Sequence, residues 1–200
     1  MRIALAQFLP LNGNIDSNLS LISDFAGESA KQGVQLLCLP EMCTTGFAWS
    51  QLDEVLLHSK ASQTQISNLA QQNKIAIAGS FLTRNSNGKP SNTFIYFESD
   101  GSVLVNYNKI HLFRQMGEDL HLEAGAAVLT AQSMDAHIGC SICYDLRFPE
   151  LFRKCALAGA EVQILPAAFP HPRLSHWRTV LEARAMENQN FIIATNQCGT

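Results

Sequence analysis

Short apolar runs of strand length alternate with helix-patterned segments along this chain, and this alternation limits its fold more than any other feature. Residues 2–8 and 34–39 are apolar runs of strand length, and between them Leu19, Ile22 and Ala26 recur at helical spacing. The opening of the chain is therefore predicted to fold as strand, helix, strand.

The first predicted helix has recognisable ends. Asp16 or Ser17 can cap its N-terminus, because a short polar side chain accepts a hydrogen bond from the first-turn amides. Gly33 stands where a left-handed residue commonly ends a helix. We expect the helix to lie between these residues.

The same alternation continues to the end of the chain. A helix near 66–72 precedes a strand at 75–81, and strands at 93–98 and 102–107 flank the turn 99–101 as in a hairpin. The later segments predict strands at 136–142, 161–165 and 191–196 and helices at 150–158 and 176–189. This order predicts a mixed sheet in a fold of the α/β class.

Composition argues against several classes of protein. Of the 200 residues, 46% are hydrophobic, which is enough for a large core, so we expect one domain over 1–200. The formal net charge of −3 and the lack of a basic run argue against nucleic-acid or membrane partners. Six cysteines in a core-rich chain without a recognisable signal peptide predict reduced thiols, a cytoplasmic protein and a small-molecule ligand.

Three chemically active side chains directly follow apolar runs, namely Glu41, Lys109 and Cys143. In open α/β sheets, functional sites gather at the carboxyl ends of strands, so these side chains meet if their strands run the same way in one sheet. For Glu41 or Lys109 taken alone, the simpler interpretation is that a strand ends where charge begins. Cys143 favours a site, because a thiol between a base and a cation is a potential nucleophile.

Cys143 also stands at a strand-to-helix junction. Pro149 and Glu150 suit the first turn of the following helix. A helix N-terminus or an adjacent cation such as Lys109 lowers the pKa of a thiol. We therefore expect the pKa of Cys143 to be lowered.

Two cysteine spacings suggest rival functions. Cys140 and Cys143 form a C-x-x-C pair, and Cys38 and Cys43 lie five residues apart. Structural zinc sites use turns outside strands, whereas Cys140 lies within a predicted strand, and a thioredoxin-type pair places both cysteines at the start of a helix. No nucleotide-binding glycine loop is present. We predict no metal and no cofactor.

Four segments resemble, in order and spacing, the nitrilase superfamily of carbon-nitrogen hydrolases. They are LCLPEM around Glu41, NKIHLF around Lys109, CYDLRFPELFR around Cys143, and LPAAFP with the later HWRTVLEARAMENQNFIIATNQ. The resemblance implies a four-layer α-β-β-α sandwich, with Glu41 as general base, Lys109 stabilising the tetrahedral intermediate and Cys143 as nucleophile. It also matches Glu118 to a second glutamate of that family, with a positioning role.

Within that superfamily, the segment FPHPRLSHW resembles the omega-amidase-like members. This implies hydrolysis of the terminal carboxamide of a small omega-amido acid, such as 2-oxoglutaramate or 2-oxosuccinamate, through a cysteine thioester. Arg173 is the candidate anchor for the substrate carboxylate. Tyr144, Phe169 and Trp177 are candidate pocket walls, and the backbone N–H of Tyr144 is a candidate oxyanion donor. The alternatives are an amidase for deaminated glutathione or an N-carbamoyl compound, a non-catalytic module, and a thiol-redox protein.

Members of this superfamily usually continue through another hairpin and further strands. We therefore expect the C-terminal part of the fold to be missing from the domain at 1–200. The resemblance also implies a homodimer that extends the sheets, provided that the full fold is present.

Overall fold

The computed structural model of the chain describes residues 1–133 and 136–199. Its strands are β1 (Ile3–Leu5), β2 (Leu36–Cys38), β3 (Ala76–Arg84), β4 (Pro90–Phe97), β5 (Val103–Asn108), β6 (Thr130–Ser133), β7 (Ala136–Cys140), β8 (Val162–Ala167) and β9 (Phe191–Asn196). Its α-helices are α1 (Ile15–Lys31), α2 (Leu52–Leu57), α3 (Ser59–Asn73), α4 (Glu118–His121), α5 (Pro149–Leu157) and α6 (Leu174–Asn188). Short 3₁₀ turns include Arg114–Met116, Cys143–Arg147 and His171–Arg173.

The strands form two sheets. The first has the order β1-β2-β3-β4-β5, in which β1, β2 and β3 are parallel and the pairs β3/β4 and β4/β5 are antiparallel. The second has the order β6-β7-β8-β9, antiparallel between β6 and β7 and parallel from β7 to β9. The prediction of a mixed sheet and an α/β fold is confirmed.

Alternation of side chains along the strands divides the core into layers. Ile77 of β3 packs in one apolar cluster with Ile22 of α1 and Ile66 of α3. The next residue, Ala78, belongs to the cluster that joins the first sheet to the second, in which Phe152 of α5 is fully buried. Because successive strand residues face opposite sides, each central strand serves both interfaces. The order of layers is helix, sheet, sheet, helix.

Most predicted elements are present, with informative differences at their edges. Asn14 caps α1 by accepting a hydrogen bond from the Ser17 N–H at 3.1 Å, so the prediction of Asp16 or Ser17 as the cap is wrong. Gly33 follows α1 with φ +68°, as predicted. Strand β6 was not predicted from the sequence. Among the residues that the structure describes, no helix is long and apolar enough to cross a membrane. Thr200, the last residue of the expected domain, lies outside the described part.

The topology explains how distant segments reach one place. Strands β2 and β5 run in the same direction, since β3 is parallel to β2 and two antiparallel pairings separate β3 from β5. Glu41 and Lys109 therefore lie beyond the same edge of the first sheet. Cys143 follows β7 of the second sheet, so the condition that the three strands share one sheet is not met. The three side chains meet across the packed sheets.

Candidate active site

Two carboxylates and one ammonium group form the floor of a buried pocket. Lys109 Nζ donates to Glu41 Oε1 at 2.8 Å and to both carboxylate oxygens of Glu118, at 2.9 and 2.7 Å. Each of the three residues exposes 2% of its surface or less. A buried charge is tolerated when it is paired and hydrogen-bonded, and this triad meets both conditions.

An asparagine that the sequence analysis did not single out completes this floor. Asn92 of β4 donates from Nδ2 to Glu41 Oε1 at 2.8 Å and to Glu118 Oε1 at 3.3 Å. Its side chain is fully buried, as is that of Ser80, which donates to Asn92 Oδ1 at 2.5 Å. Asparagine is depleted in strands, so an asparagine two residues before the apolar run 94–97 was a signal that could have identified Asn92.

Cys143 opens a tight turn directly beyond β7. The 3₁₀ helix Cys143–Arg147 begins at this residue, whose φ is +42°, a left-handed angle that is unfavourable for a side chain with a Cβ. Met42, which follows Glu41, also has a positive φ, of +50°. Such strain persists where the surrounding structure over-determines it, and it is common at functional sites.

Asp145 is the residue that secures this turn. Its fully buried carboxylate accepts hydrogen bonds from the backbone N–H of Ile142 at 2.9 Å and from the Tyr107 hydroxyl at 2.8 Å. It also accepts from the backbone N–H of His111 at 3.0 Å and contacts the ring Nδ1 of that histidine at 2.7 Å. Tyr107 and His111 stand two residues before and after Lys109, so Asp145 ties the lysine segment to the cysteine turn.

The end of β9 braces the pocket from a third side. The Gln197 side chain donates to the backbone carbonyl of Glu41 at 2.8 Å. The Asn196 side chain accepts from the Phe169 N–H at 2.6 Å and donates to the Phe169 carbonyl at 2.9 Å. The N–H of Ala168 donates to Glu41 Oε2 at 3.0 Å. Both the backbone and the carboxylate of Glu41 are therefore held in place.

Burial is the largest influence on the pKa values of the floor. It raises the pKa of the Glu41 carboxyl, while the Lys109 ammonium opposes this effect and the Glu118 carboxylate reinforces it. Burial alone would lower the pKa of Lys109, but the charges of Glu41, Cys143 and Glu118 raise it above its ordinary value. The lysine therefore stays protonated.

The thiol of Cys143 keeps its proton in this arrangement. Burial, followed by the negative charge of Glu41, raises the pKa of Cys143 well above its ordinary value, although the Lys109 ammonium lowers it. The thiol and the Glu41 carboxylate lie close enough for each to affect the pKa of the other. The expectation of a lowered pKa is wrong, because α5 begins only at Pro149 and the neighbouring carboxylate and burial outweigh the cation.

The pocket narrows to a cavity of about 30 Å³ above the floor. Its lining comprises Glu41, Phe47, Lys109, Phe113, Met116, Glu118, Cys143, Tyr144, Arg147, Ala168, Phe169, Pro170 and Arg173. Arg147 and Arg173 lie at the mouth, where Arg147 stands over the Phe169 ring at 5.4 Å and Arg173 over the Phe113 ring at 5.5 Å. The mouth therefore combines aromatic walls with two cations.

The structure brings together almost every residue that the sequence nominated for this site. Tyr144, Phe169 and Arg173 line the pocket with the four residues matched to the family's catalytic groups. Trp177 does not line it, because this side chain packs on Phe169 in the apolar core. Sequence reasoning missed Arg147, which lies within the cysteine segment itself.

Comparisons with known proteins identify a matching family and several similar enzymes. A family model described as "Carbon-nitrogen hydrolase" matches residues 2–200. A 2-oxoglutaramate amidase of Bacillus subtilis (strain 168) is 33% identical over 199 residues, which cover 99% of this chain and 76% of that protein. A deaminated glutathione amidase of Synechocystis sp. (strain PCC 6803 / GT-S) is 31% identical over 211 residues, which cover 98% of this chain and 78% of that protein.

A solved structure extends the comparison to three dimensions. A glutamate-to-glutamine mutant of an amidase from Nesterenkonia sp. AN1 superposes with a TM-score of 0.94 at 29% identity, covering 100% of this chain and 79% of that chain. In that mutant, acrylamide has undergone Michael addition at the active-site cysteine. The superposition over the whole chain confirms the predicted four-layer fold.

Proposed function

Because this chain belongs to the carbon-nitrogen hydrolase family, we propose that it is an amidase that releases ammonia from the terminal carboxamide of a small omega-amido acid. The substrate is of the 2-oxoglutaramate or 2-oxosuccinamate type. The observation that carries the proposal is the meeting of Cys143, Glu41 and Lys109 in one narrow pocket. The Glu41 carboxylate lies in this pocket with the thiol and accepts from Lys109 Nζ at 2.8 Å.

Acylation begins with transfer of the Cys143 thiol proton to the Glu41 carboxylate. As the sulfur of Cys143 forms a bond to the carboxamide carbon, its proton moves to the carboxylate, which acts as general base. The tetrahedral intermediate then collapses, the C–N bond breaks, and Glu41 returns the proton to the departing nitrogen. Ammonia leaves, and a thioester remains on Cys143.

The negative oxygen of the tetrahedral intermediate needs donors that are already in place. The backbone N–H of Tyr144, on the residue after the nucleophile, and the charge of Lys109 are the groups assigned to this task. Removing one such donor costs about 3 to 4 kcal/mol in comparable enzymes. Because Lys109 stays protonated at the floor, its charge is present throughout the reaction.

Water completes the cycle by hydrolysing the thioester. Glu41 takes a proton from water as its oxygen bonds to the thioester carbon, and a second oxyanion forms at the same donors. When this intermediate collapses, the S–C bond breaks and Glu41 returns the proton to the sulfur. Glu118 holds Lys109 through both carboxylate oxygens, which fixes the ammonium without contact to the reacting atoms.

Arg173 and Arg147 supply the preference for a carboxylate at the far end of the substrate. Both guanidinium groups reach the pocket lining, and neither forms an ion pair with an acidic side chain among residues 1–133 and 136–199. Guanidinium groups bind carboxylates in a bidentate manner. A short omega-amido acid would place its amide at Cys143 and its carboxylate at this mouth.

A deaminated-glutathione amidase is the second candidate, supported by the 31% identity with the Synechocystis protein. An N-carbamoyl substrate would need the same nucleophile and would differ only in its leaving group.

Ammonia release from a panel of compounds tests the proposal. We expect 2-oxoglutaramate or 2-oxosuccinamate to exceed butyramide in kcat/KM by at least about tenfold, which is the effect of one charge-assisted hydrogen bond. Deaminated glutathione and an N-carbamoyl amino acid belong in the same panel. Preference for butyramide would refute the role of the arginines, and absence of ammonia from every amide would refute the amidase. Acid-quenched intact mass should show the acyl group on Cys143.

The cytoplasmic location and the homodimer remain predictions. A small-molecule amide is the proposed partner, and the family resemblance is the support for the dimer. Analytical ultracentrifugation of the chain would test its oligomeric state.

A further inference from the structure

Asn92 connects the two buried carboxylates to the backbone beside Glu41. As described above, its Nδ2 group donates to one oxygen of each carboxylate, and its Oδ1 accepts from Ser80. The Ser80 Oγ in turn accepts from the backbone N–H of Met42 at 3.0 Å. Every polar group of the asparagine side chain therefore has a partner of the right kind.

Ser80 determines which way the Asn92 amide faces. Because the Met42 N–H already donates to the serine oxygen, the serine hydroxyl is free to donate onward, and its acceptor is Asn92 Oδ1. A flipped amide would turn its carbonyl oxygen toward two carboxylates and leave an N–H facing Ser80. The observed orientation is the one that supplies donors to Glu41 and Glu118.

The balance of charge at the floor makes these donors important. The titratable groups that act on Glu41 are Lys109, Glu118 and Cys143, of which only the lysine carries positive charge. Two carboxylates thus share one ammonium in a site without bulk water. Hydrogen bonds from a neutral amide favour the ionised form of a carboxyl without adding charge. Asn92 supplies such bonds to both.

We infer that Asn92 is a positioning residue for the proposed amide hydrolysis: it orients the Glu41 carboxylate toward Cys143 and keeps it ionised and ready to accept the thiol proton. This inference rests on the proposed function. Asn92 does not belong to the pocket lining, so it acts through Glu41 and not on the substrate.

Asn92→Leu is the sharpest variant, because leucine has nearly the same shape and no hydrogen-bonding group. We expect kcat to fall by about 10- to 100-fold, as for a displaced catalytic group, with KM changed by less than about threefold because substrate contacts remain. The acid limb of the pH–kcat profile should move upward by about one pH unit, since Glu41 loses a donor to its ionised form.

Two further variants separate positioning from general damage. Ser80→Ala keeps the amide but removes the hydroxyl that orients it, so the acid limb should move the same way by a smaller amount. Thr83→Val removes a buried hydroxyl of β3 that is hydrogen-bonded to the Thr93 hydroxyl of β4 at 2.5 Å. This hydrogen bond does not involve a residue of the floor. Its profile should match the wild type. Circular dichroism and thermal melting establish that each variant folds.

Alkylation by iodoacetamide keeps this inference distinct from the proposed function. The rate of Cys143 alkylation against pH reports the Glu41–thiol pair without any substrate, and its acid limb should move upward in Asn92→Leu and Ser80→Ala. If the acid limbs of the alkylation rate in both variants coincide with that of the wild type, the inference is overturned, even if kcat falls. If Asn92→Leu does not fold, Ser80→Ala alone decides. If wild type releases no ammonia while the limbs still move, the proposed function fails, and the effect of Asn92 on the Glu41–thiol pair is supported without it.

Discussion

The floor and the mouth of this pocket are built in opposite ways. At the floor, Glu41, Lys109 and Glu118 are almost completely buried, and each is hydrogen-bonded within the protein. At the mouth, Met116 is 49% exposed, and the Arg173 guanidinium donates a hydrogen bond, at 3.2 Å, to the exposed side chain of Gln115.

The difference follows from solvation. Charges at the floor are buried, so each needs a protein partner, and removal of one partner leaves another charge buried and unpaired. The two arginines at the mouth are only half-buried, and their contacts with exposed partners contribute little to stability. We conclude that the floor is suited to one fixed chemistry and the mouth to substrate choice, which can change without loss of the fold.

Loss of the nucleophile should give the largest loss of activity and should leave the fold intact. We expect Cys143→Ala to reduce kcat/KM by about 10⁴-fold or more, because no other group can form the acyl intermediate. The fold should persist, since the substitution removes one sulfur atom from a partly exposed residue. Ammonia release and thermal melting check both parts.

Cys198→Ala is the matched control for Cys143→Ala. Cys198 is an exposed free thiol that follows β9 and does not line the pocket. Its loss should leave ammonia release and the acyl-enzyme mass unchanged. If Cys143→Ala retains more than about one per cent of the wild-type rate, the thioester mechanism is wrong.

Substitution of Asp145 should give the second-largest effect, because this residue holds the floor together without touching substrate. Asp145→Asn replaces one acceptor oxygen by a donor, which then faces N–H or O–H groups that also donate. We expect kcat to fall by about 100-fold as the Cys143 turn shifts relative to Lys109, and the free energy of unfolding to fall by about 1 to 3 kcal/mol. Steady-state kinetics and urea unfolding measure the two effects.

Tyr107→Phe is the graded control for Asp145→Asn. It removes one donor to the Asp145 carboxylate, together with a long hydrogen bond from the Ile110 N–H at 3.3 Å, and leaves the backbone N–H groups of Ile142 and His111 in place. Its loss of kcat should be below about tenfold, in proportion to one hydrogen bond. An Asp145→Asn enzyme as active as Tyr107→Phe would show that the turn needs no such anchor.

Some residues of the site could be predicted from the sequence and others could not. Glu41, Lys109 and Cys143 were found because strand ends and the family-like segments around them are local signals. Asn92 and Asp145 were missed as site residues because their roles depend on partners 51 and 38 residues away, Glu41 and Tyr107. No local pattern specifies such pairings.

The fold shows a similar division between local and long-range information. The hairpin of β4 and β5 was predicted because its turn is short and contains Gly101, whose φ is +84°. The predicted N-cap of α1 was wrong because Asn14 and Asp16 have nearly equal capping preference. The choice between them depends on tertiary contacts. The assignment of β7 to a second sheet likewise required knowledge of how strands pair.

At the mouth, loss of an arginine should affect binding more than turnover. We expect Arg173→Met and Arg147→Met each to raise the KM for an omega-amido acid by about 10- to 100-fold, the effect of one charge-assisted hydrogen bond. The kcat should change by less than about threefold, because the floor is intact. Butyramide, which has no carboxylate, should show unchanged KM.

Arg178→Met provides the control for these two variants. Arg178 is an exposed arginine of α6 that does not line the pocket. Its KM for either substrate should equal that of wild type. An equal rise of KM for butyramide and for the omega-amido acid in Arg173→Met would show that the arginine shapes the mouth and does not bind the carboxylate.

Gln115→Ala should give the smallest effect and so measures how weakly the mouth is organised. The Gln115 side chain accepts from Arg173 at 3.2 Å in an exposed position, and a bond of this kind is worth about 0.5 to 1 kcal/mol. We expect the KM for the omega-amido acid to rise by about two- to fivefold at constant kcat. A rise as large as that of Arg173→Met would mean that the mouth is as rigidly organised as the floor, which would end the distinction between them.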